Sequence, residues 1–152
     1  MKKLMMMAMM ILFINHLQAQ NKLSGHELSI NLFRNPSIGA EYRFGNISFH
    51  GGYYPTAFDA GETTSFIKLG MSVWFLPVGK KENPSSFYSG ASYLRGLNRA
   101  YESKNAIGVE GGFRWMVWKG LNLRIGAIAV MAKDESFKIN PTPGVSYSFY
   151  FK

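Results

Sequence analysis

The sequence predicts an all-β chain folded as an antiparallel, eight-stranded, up-and-down transmembrane β-barrel, and three observations predict it. Apolar and polar residues alternate with period two over most of residues 27–151, the pattern of strands with two unlike faces. Two hairpin connections keep the apolar residues of neighbouring strands on one face. The opposite faces hold glycine, serine and a few charges of both signs. That is too sparse for a face in bulk water, where about a quarter or more of positions are charged.

Met1-Lys2-Lys3 is followed by eleven uncharged residues, 4–14, and then by Ala19-Gln20. A basic start, an apolar stretch of about 7–15 residues and a small residue at the cut describe a secretory signal peptide. We therefore expect residues 1–19 to be a cleaved signal and residues 20–152 to form a single β-barrel domain. Eleven apolar residues fall short of the roughly 20 that a spanning helix needs, and no later stretch approaches that length. Beyond the expected cut, 15 basic residues face nine acidic ones. The basic residues are dispersed, and export argues against nucleic acid as a partner. A positive rim meeting anionic headgroups and plain solvated charge both fit. The chain has no cysteine, which rules out disulfides, thiol redox chemistry and cysteine-based zinc sites.

Residues 27–33 carry Leu28, Ile30 and Leu32 on the apolar side. Residues 37–45 place Ile38, Ala40, Tyr42 and Phe44 against Gly39, Glu41, Arg43 and Gly45, and residues 47–54 place Ile47, Phe49, Gly51 and Tyr53 against Ser48, His50, Gly52 and Tyr54. Gly45-Asn46 between them suits a two-residue hairpin loop, with Phe44 opposite Ile47. Residues 64–76 carry Ile67, Leu69, Met71, Val73 and Phe75 opposite Phe66, Lys68, Gly70, Ser72 and Trp74. Residues 86–94 are rich in serine, glycine and tyrosine, and their faces stay unassigned. Residues 106–117 and 121–131 alternate on either side of a three-residue loop, 118–120, which pairs Val117 with Leu121 and gives Gly120 the left-handed position. Residues 142–151 form the last strand. The connections are 35–36, 45–46, 55–62, 77–84, 95–104, 118–120 and 133–140, with a bulge expected near 33–37.

The assignable apolar faces carry no charge and end in aromatics such as Tyr42, Phe44, Tyr53, Phe75, Trp115, Tyr147 and Phe149, as lipid-facing bands do. With Ala19-Gln20, the eight alternating strands and the final run Val-Ser-Tyr-Ser-Phe-Tyr-Phe-Lys, the chain beyond its signal resembles the small outer-membrane β-barrel proteins, the OmpX-like and OmpA-barrel-like group. The resemblance implies a bacterial outer-membrane location, outer-membrane lipid and lipopolysaccharide as neighbours, and barrel-assembly machinery that reads the C-terminal strand. Members commonly end on an aromatic residue, whereas here Lys152 follows Phe151. An even strand number puts both termini on the periplasmic side and makes 35–36, 55–62, 95–104 and 133–140 extracellular. Arg95, Arg99, Tyr101 and Lys104 make 95–104 either a contact for lipopolysaccharide phosphates or a partner, or a solvated loop.

The candidate site is a polar network inside the barrel: Glu41, Arg43, His50, Lys68, Glu110, Arg114 and Arg124. The hairpin register sets Arg114 opposite Arg124, an unfavourable like-charge pair that Glu110 or Glu41 must neutralise. Such a network either plugs the lumen or forms a proton or ion path. His50 with Ser48 and Glu41 offers the elements of a hydrolase. These side chains point inward, however, away from where lipid would react. His26 and Glu27 point to opposite faces and make no convergent metal site, so neither metal nor cofactor is expected. Gly51-Gly52 and Gly111-Gly112 lie inside strand patterns with no helix after them, and so relieve curvature rather than bind phosphate. The expected protein is a monomeric, non-catalytic outer-membrane barrel with a structural, adhesion or surface-interaction role. The alternatives are an outer-membrane lipid-modifying enzyme and a soluble exported barrel that binds an apolar ligand inside. A porin-like passive pore is disfavoured because eight strands leave little open lumen.

Overall fold

Period-two alternation gives nine antiparallel strands in the computed structural model, which describes Leu23 and residues 25–151. The expected signal, 1–19, and Lys152 lie outside the described residues. The strands are β1 (His26–Asn31), β2 (Ile38–Phe44), β3 (Ile47–Asp59), β4 (Glu62–Val78), β5 (Ser85–Gly96), β6 (Asn105–Trp118), β7 (Leu121–Ala132), β8 (Lys138–Pro141) and β9 (Gly144–Phe151). Each of β1 to β6 pairs with the next, and β9 pairs with β1, so one sheet runs round into a ring. The expected count of eight strands is corrected at β8. That short strand pairs with Ala127 to Val130 of β7, while β9 pairs with Leu121 to Arg124. Two strands thus share the eighth position of the ring. The break falls at Thr142-Pro143, where Thr142 N–H still reaches Gly126 O at 2.8 Å and Pro143 has no amide hydrogen to donate.

The hairpin Phe44↔Ile47 has the expected register around Gly45 at φ +56°. Three other expectations are corrected. β3 continues through Pro55, so the loop expected at 55–62 shrinks to Ala60-Gly61 between Asp59 and Glu62. Leu121 pairs with Trp118 rather than Val117. A register shift leaves Val117 outside the ladder, and the loop is Lys119-Gly120 with both residues at positive φ, as a two-residue hairpin requires. β1 stops at Asn31, and residues 32–37 form a connection in which Leu32 and Phe33 stay outside while Asn35, Pro36 and Ser37 turn inward, where a bulge was expected. β5 is a full strand with Ser86, Tyr88, Ser92 and Leu94 inward and Phe87 and Tyr93 outward.

The ring is inverted relative to a water-soluble protein. Its outward side chains are apolar: Phe49 is 61 % exposed and Ile125 70 %. The outward positions of β1, β2, β6, β7 and β9 carry no Asp, Glu, Lys or Arg, and the outward charges Asp59, Glu62 and Arg95 stand at one end of β3, β4 and β5. That end holds the longer loops. A 3-10 turn at Arg99–Tyr101 drops Tyr101 into the ring against Phe66 and Phe58, with ring centroids 5.2 and 5.3 Å away. Tyr54, Phe66, Leu94, Ile128 and Val130 pack beneath it as an apolar cap. Burying each large side chain there contributes about 1.5–3 kcal/mol. At the opposite end, where the described chain begins and ends, Leu23 packs with Trp74 and Tyr88.

Candidate functional site

Inward positions below the apolar cap, around Trp74 and Leu23, carry the charges. The buried set contains three carboxylates, Glu27, Glu41 and Glu110, and four basic side chains, Arg43, Lys68, Arg114 and Arg124. Each carboxylate ties strands that are distant around the ring. Glu27 on β1 accepts from Arg43 of β2 through Nε at 2.8 Å and Nη2 at 2.5 Å, and from Arg114 Nη1 of β6 at 2.6 Å. Ser29 Oγ donates to the same carboxylate at 3.1 Å. Glu41 on β2 stands 2.6 Å from Arg124 Nη2 of β7 and accepts from Ser48 Oγ at 2.6 Å. Glu110 on β6 accepts from Lys68 Nζ of β4 at 2.6 Å and from Ser92 Oγ of β5 at 2.7 Å. His50 Nε2 on β3 lies 3.2 Å from Glu110 Oε1.

Arg114 and Arg124 do face each other across the β6–β7 ladder. Their repulsion is answered from the far side of the ring, by Glu27 for one and Glu41 for the other. Glu110, an expected counter-ion for this pair, serves Lys68 and His50 instead. Trp74 completes the arrangement. Its ring centroid is 4.4 Å from the Arg114 guanidinium carbon and 5.2 Å from that of Arg124, so the indole face takes up both cations. Its Nε1–H donates to Ser48 Oγ at 2.8 Å.

The inward connection fills the remaining space. Asn35, Pro36 and Ser37 are buried. Asn35 Nδ2 donates to Tyr88 OH at 2.5 Å and to Thr142 O at 2.8 Å. Pro36 O accepts from Lys68 Nζ at 2.7 Å. Gly144 makes room, because a Cβ there would lie 2.6 Å from Asn35 O. Isolated buried charges cost far more than paired ones, which is why every carboxylate here meets a cation.

All seven residues singled out from the sequence are buried inside the ring, but in separate groups: Arg43 and Arg114 with Glu27, Arg124 with Glu41, and Lys68 and His50 with Glu110. The Ser48–His50 pairing that a hydrolase would use is not formed, since Ser48 bonds Glu41 and Trp74 while His50 faces Glu110. His26 opens β1, apart from this network, and its ring bonds the outward Tyr42 hydroxyl. Sequence reasoning missed Glu27, Trp74, Tyr88, Asn35 and Pro36. For Glu27 and Trp74 the inward parity was readable, but the partner across the ring was not. Among the described residues no three His, Asp or Glu converge as a metal site. What this interior does chemically is hold strands together through charge. Fold and site together define an all-β antiparallel ring with an apolar exterior and a filled, ion-paired interior. Comparison with family models, curated proteins and solved structures finds no match to the chain.

Proposed function

We propose that this chain is an outer-membrane β-barrel with a structural, adhesion or surface-interaction role and no catalysis of its own. The observation that carries the proposal is the inversion: an apolar exterior, whose few strand charges stand at one end, around an ion-paired interior. Contiguous exposed apolar patches on soluble monomers rarely exceed a few hundred Å². Here the outward residues of β1 to β7 and β9 make a band around the ring, with Phe44, Phe49, Trp115 and Phe149 on it. Hydrocarbon is the solvent that such a band matches, and a closed ladder is the strand arrangement that leaves no edge unpaired in it. The charged interior gives no support to a ligand barrel with an apolar cavity, and the Ser48 and His50 geometry gives none to a lipid hydrolase. In this proposal the leader at 1–19 exports the chain, assembly machinery reads β9, and the longer loops meet lipopolysaccharide or a partner surface.

The test is membrane fractionation together with gel migration. The protein is expected in the outer-membrane fraction, and unboiled samples are expected to migrate differently from boiled ones on a detergent gel. Recovery in the soluble periplasm, with identical migration of boiled and unboiled samples, would sink the proposal.

A further inference from the structure

The two ends of the ring treat their exposed charges differently. At the long-loop end, acids and bases pair across loops: Glu62 with Arg99 at 3.6 Å, Asp59 with Lys138 at 3.3 Å, and Glu135 with Lys104. At the end where β1 begins and β9 finishes, the turns 79–84 and Lys119-Gly120 carry Lys80, Lys81, Lys119 and a single acid, Glu82. Among the described residues none of these three lysines has a carboxylate within ion-pair distance. Lys81 is instead pinned to the end of β6, where its Nζ donates to Met116 O at 2.7 Å and Val117 O at 3.2 Å. Those carbonyls lie at the register shift around Val117. Lys119 Nζ stands 5.3 Å from the Trp118 ring centroid.

Two grooves of about 370 and 360 Å³ meet at Lys81 and Met116. Lys80 and Trp115 bound one, and Lys119, Trp118 and Tyr150 bound the other. Trp115 is 57 % exposed and Trp118 64 %. Large aromatics beside ammonium groups that no carboxylate neutralises, directly above an apolar wall, match the boundary between headgroups and acyl chains.

We infer that Lys80, Lys81 and Lys119, with Trp115 and Trp118, form a rim that binds the headgroup of an anionic phospholipid. The inference rests on the membrane reading above. The phosphodiester meets the unpaired ammonium groups, and the acyl chains lie along the outward Trp115 and Phe113. The apolar wall that continues from both grooves favours a lipid over a soluble anion. Glu82 opposes the site and is outnumbered three to one.

The experiment uses quenching of tryptophan fluorescence by brominated lipid in phosphatidylcholine vesicles. The chain has three tryptophans, and the third, Trp74, is buried inside the ring. Brominated phosphatidylglycerol is expected to quench several-fold more strongly than brominated phosphatidylcholine at equal mole fraction. That preference is expected to weaken in Lys119→Gln and to fall to near parity in Lys80→Gln/Lys119→Gln, both of which leave the Lys81 bonds to β6 intact. Heat-dependent gel migration of each variant shows that it is folded. Equal quenching by the two lipids overturns the rim and leaves the membrane reading standing. Loss of the preference in millimolar inorganic phosphate at matched ionic strength overturns the lipid in favour of a free anion. No quenching by either lipid, with no heat-dependent migration, overturns both the rim and the membrane reading.

Discussion

Glu27 sits fully buried between two guanidinium groups and serves both of them as counter-ion. Removing the carboxylate charge leaves Arg43 and Arg114 buried without their shared counter-ion. Glu27→Gln is therefore expected to destabilise the fold by about 3–5 kcal/mol, read from the urea midpoint in detergent or vesicles. A loss under 1 kcal/mol would show that Trp74 and the backbone carbonyls carry those cations instead. Lys68 and Glu110 allow the complementary comparison. Lys68→Met alone strands a carboxylate, whereas Lys68→Met with Glu110→Leu removes both charges, so the double variant is expected to be the more stable of the two. Of this residue-scale chemistry, the opposition of Arg114 and Arg124 was legible in the sequence, because a hairpin register fixes who stands opposite whom. The choice of Glu27 over Glu110 as a partner was not. Alternation says which side chains enter the ring, but not how far along its axis, or facing which wall.

At the scale of elements, two opposed glycine pairs let neighbouring strands close up. Gly39 faces Gly52 across β2 and β3, and Gly112 faces Gly126 across β6 and β7. A Cβ on Gly39 would lie 2.2 Å from Gly51 O, and one on Gly126 would lie 2.5 Å from Gly111 O. Backbone atoms cannot step aside as a side-chain tip can. Gly39→Ala is thus expected to cost about 1–3 kcal/mol. Gly51→Ala, whose new methyl meets only the Leu69 side chain closely, is expected to cost less. Matched denaturation curves check this, and equal losses at the two positions would show that crowding of the partner backbone is not the cause. Of these, Gly52 and Gly112 stood out in the sequence, as parts of Gly51-Gly52 and Gly111-Gly112 inside strand patterns with no helix after them, whereas the close approach of Gly39 and Gly126 to their partner backbones did not. β8 was not readable. Four residues that include Pro141, paired on one side only by part of β7, carry too little alternation to stand out from a loop. The extension of β3 through Pro55 was hidden in the same way, since proline ordinarily marks a turn.

For the molecule as a whole, the filled interior sets an expectation about transport. Tyr101 and its apolar neighbours close one end, the ion pairs and Trp74 occupy the middle, and Asn35, Pro36 and Ser37 fold in between. Planar-bilayer recordings are expected to show no steady conductance from the reconstituted protein, and a stable open level would mean that residues 35–37 leave the ring in lipid. The all-β class and the antiparallel order of the long strands could be read from the sequence, because alternation and short turns are local. The inward path of residues 35–37 could not, because Asn35 and Pro36 are positioned by Lys68, Tyr88 and Thr142, which lie far away in the chain. The pairing of β1 with β9 has one more implication. His26 stands opposite Phe151, so the first and last strands are neighbours in the ladder. The ring therefore has no structural beginning. A short linker joining the two termini, with new ends opened at Ala60-Gly61, should yield a circular permutant with the same sheet order, in which connectivity has changed and the architecture has not.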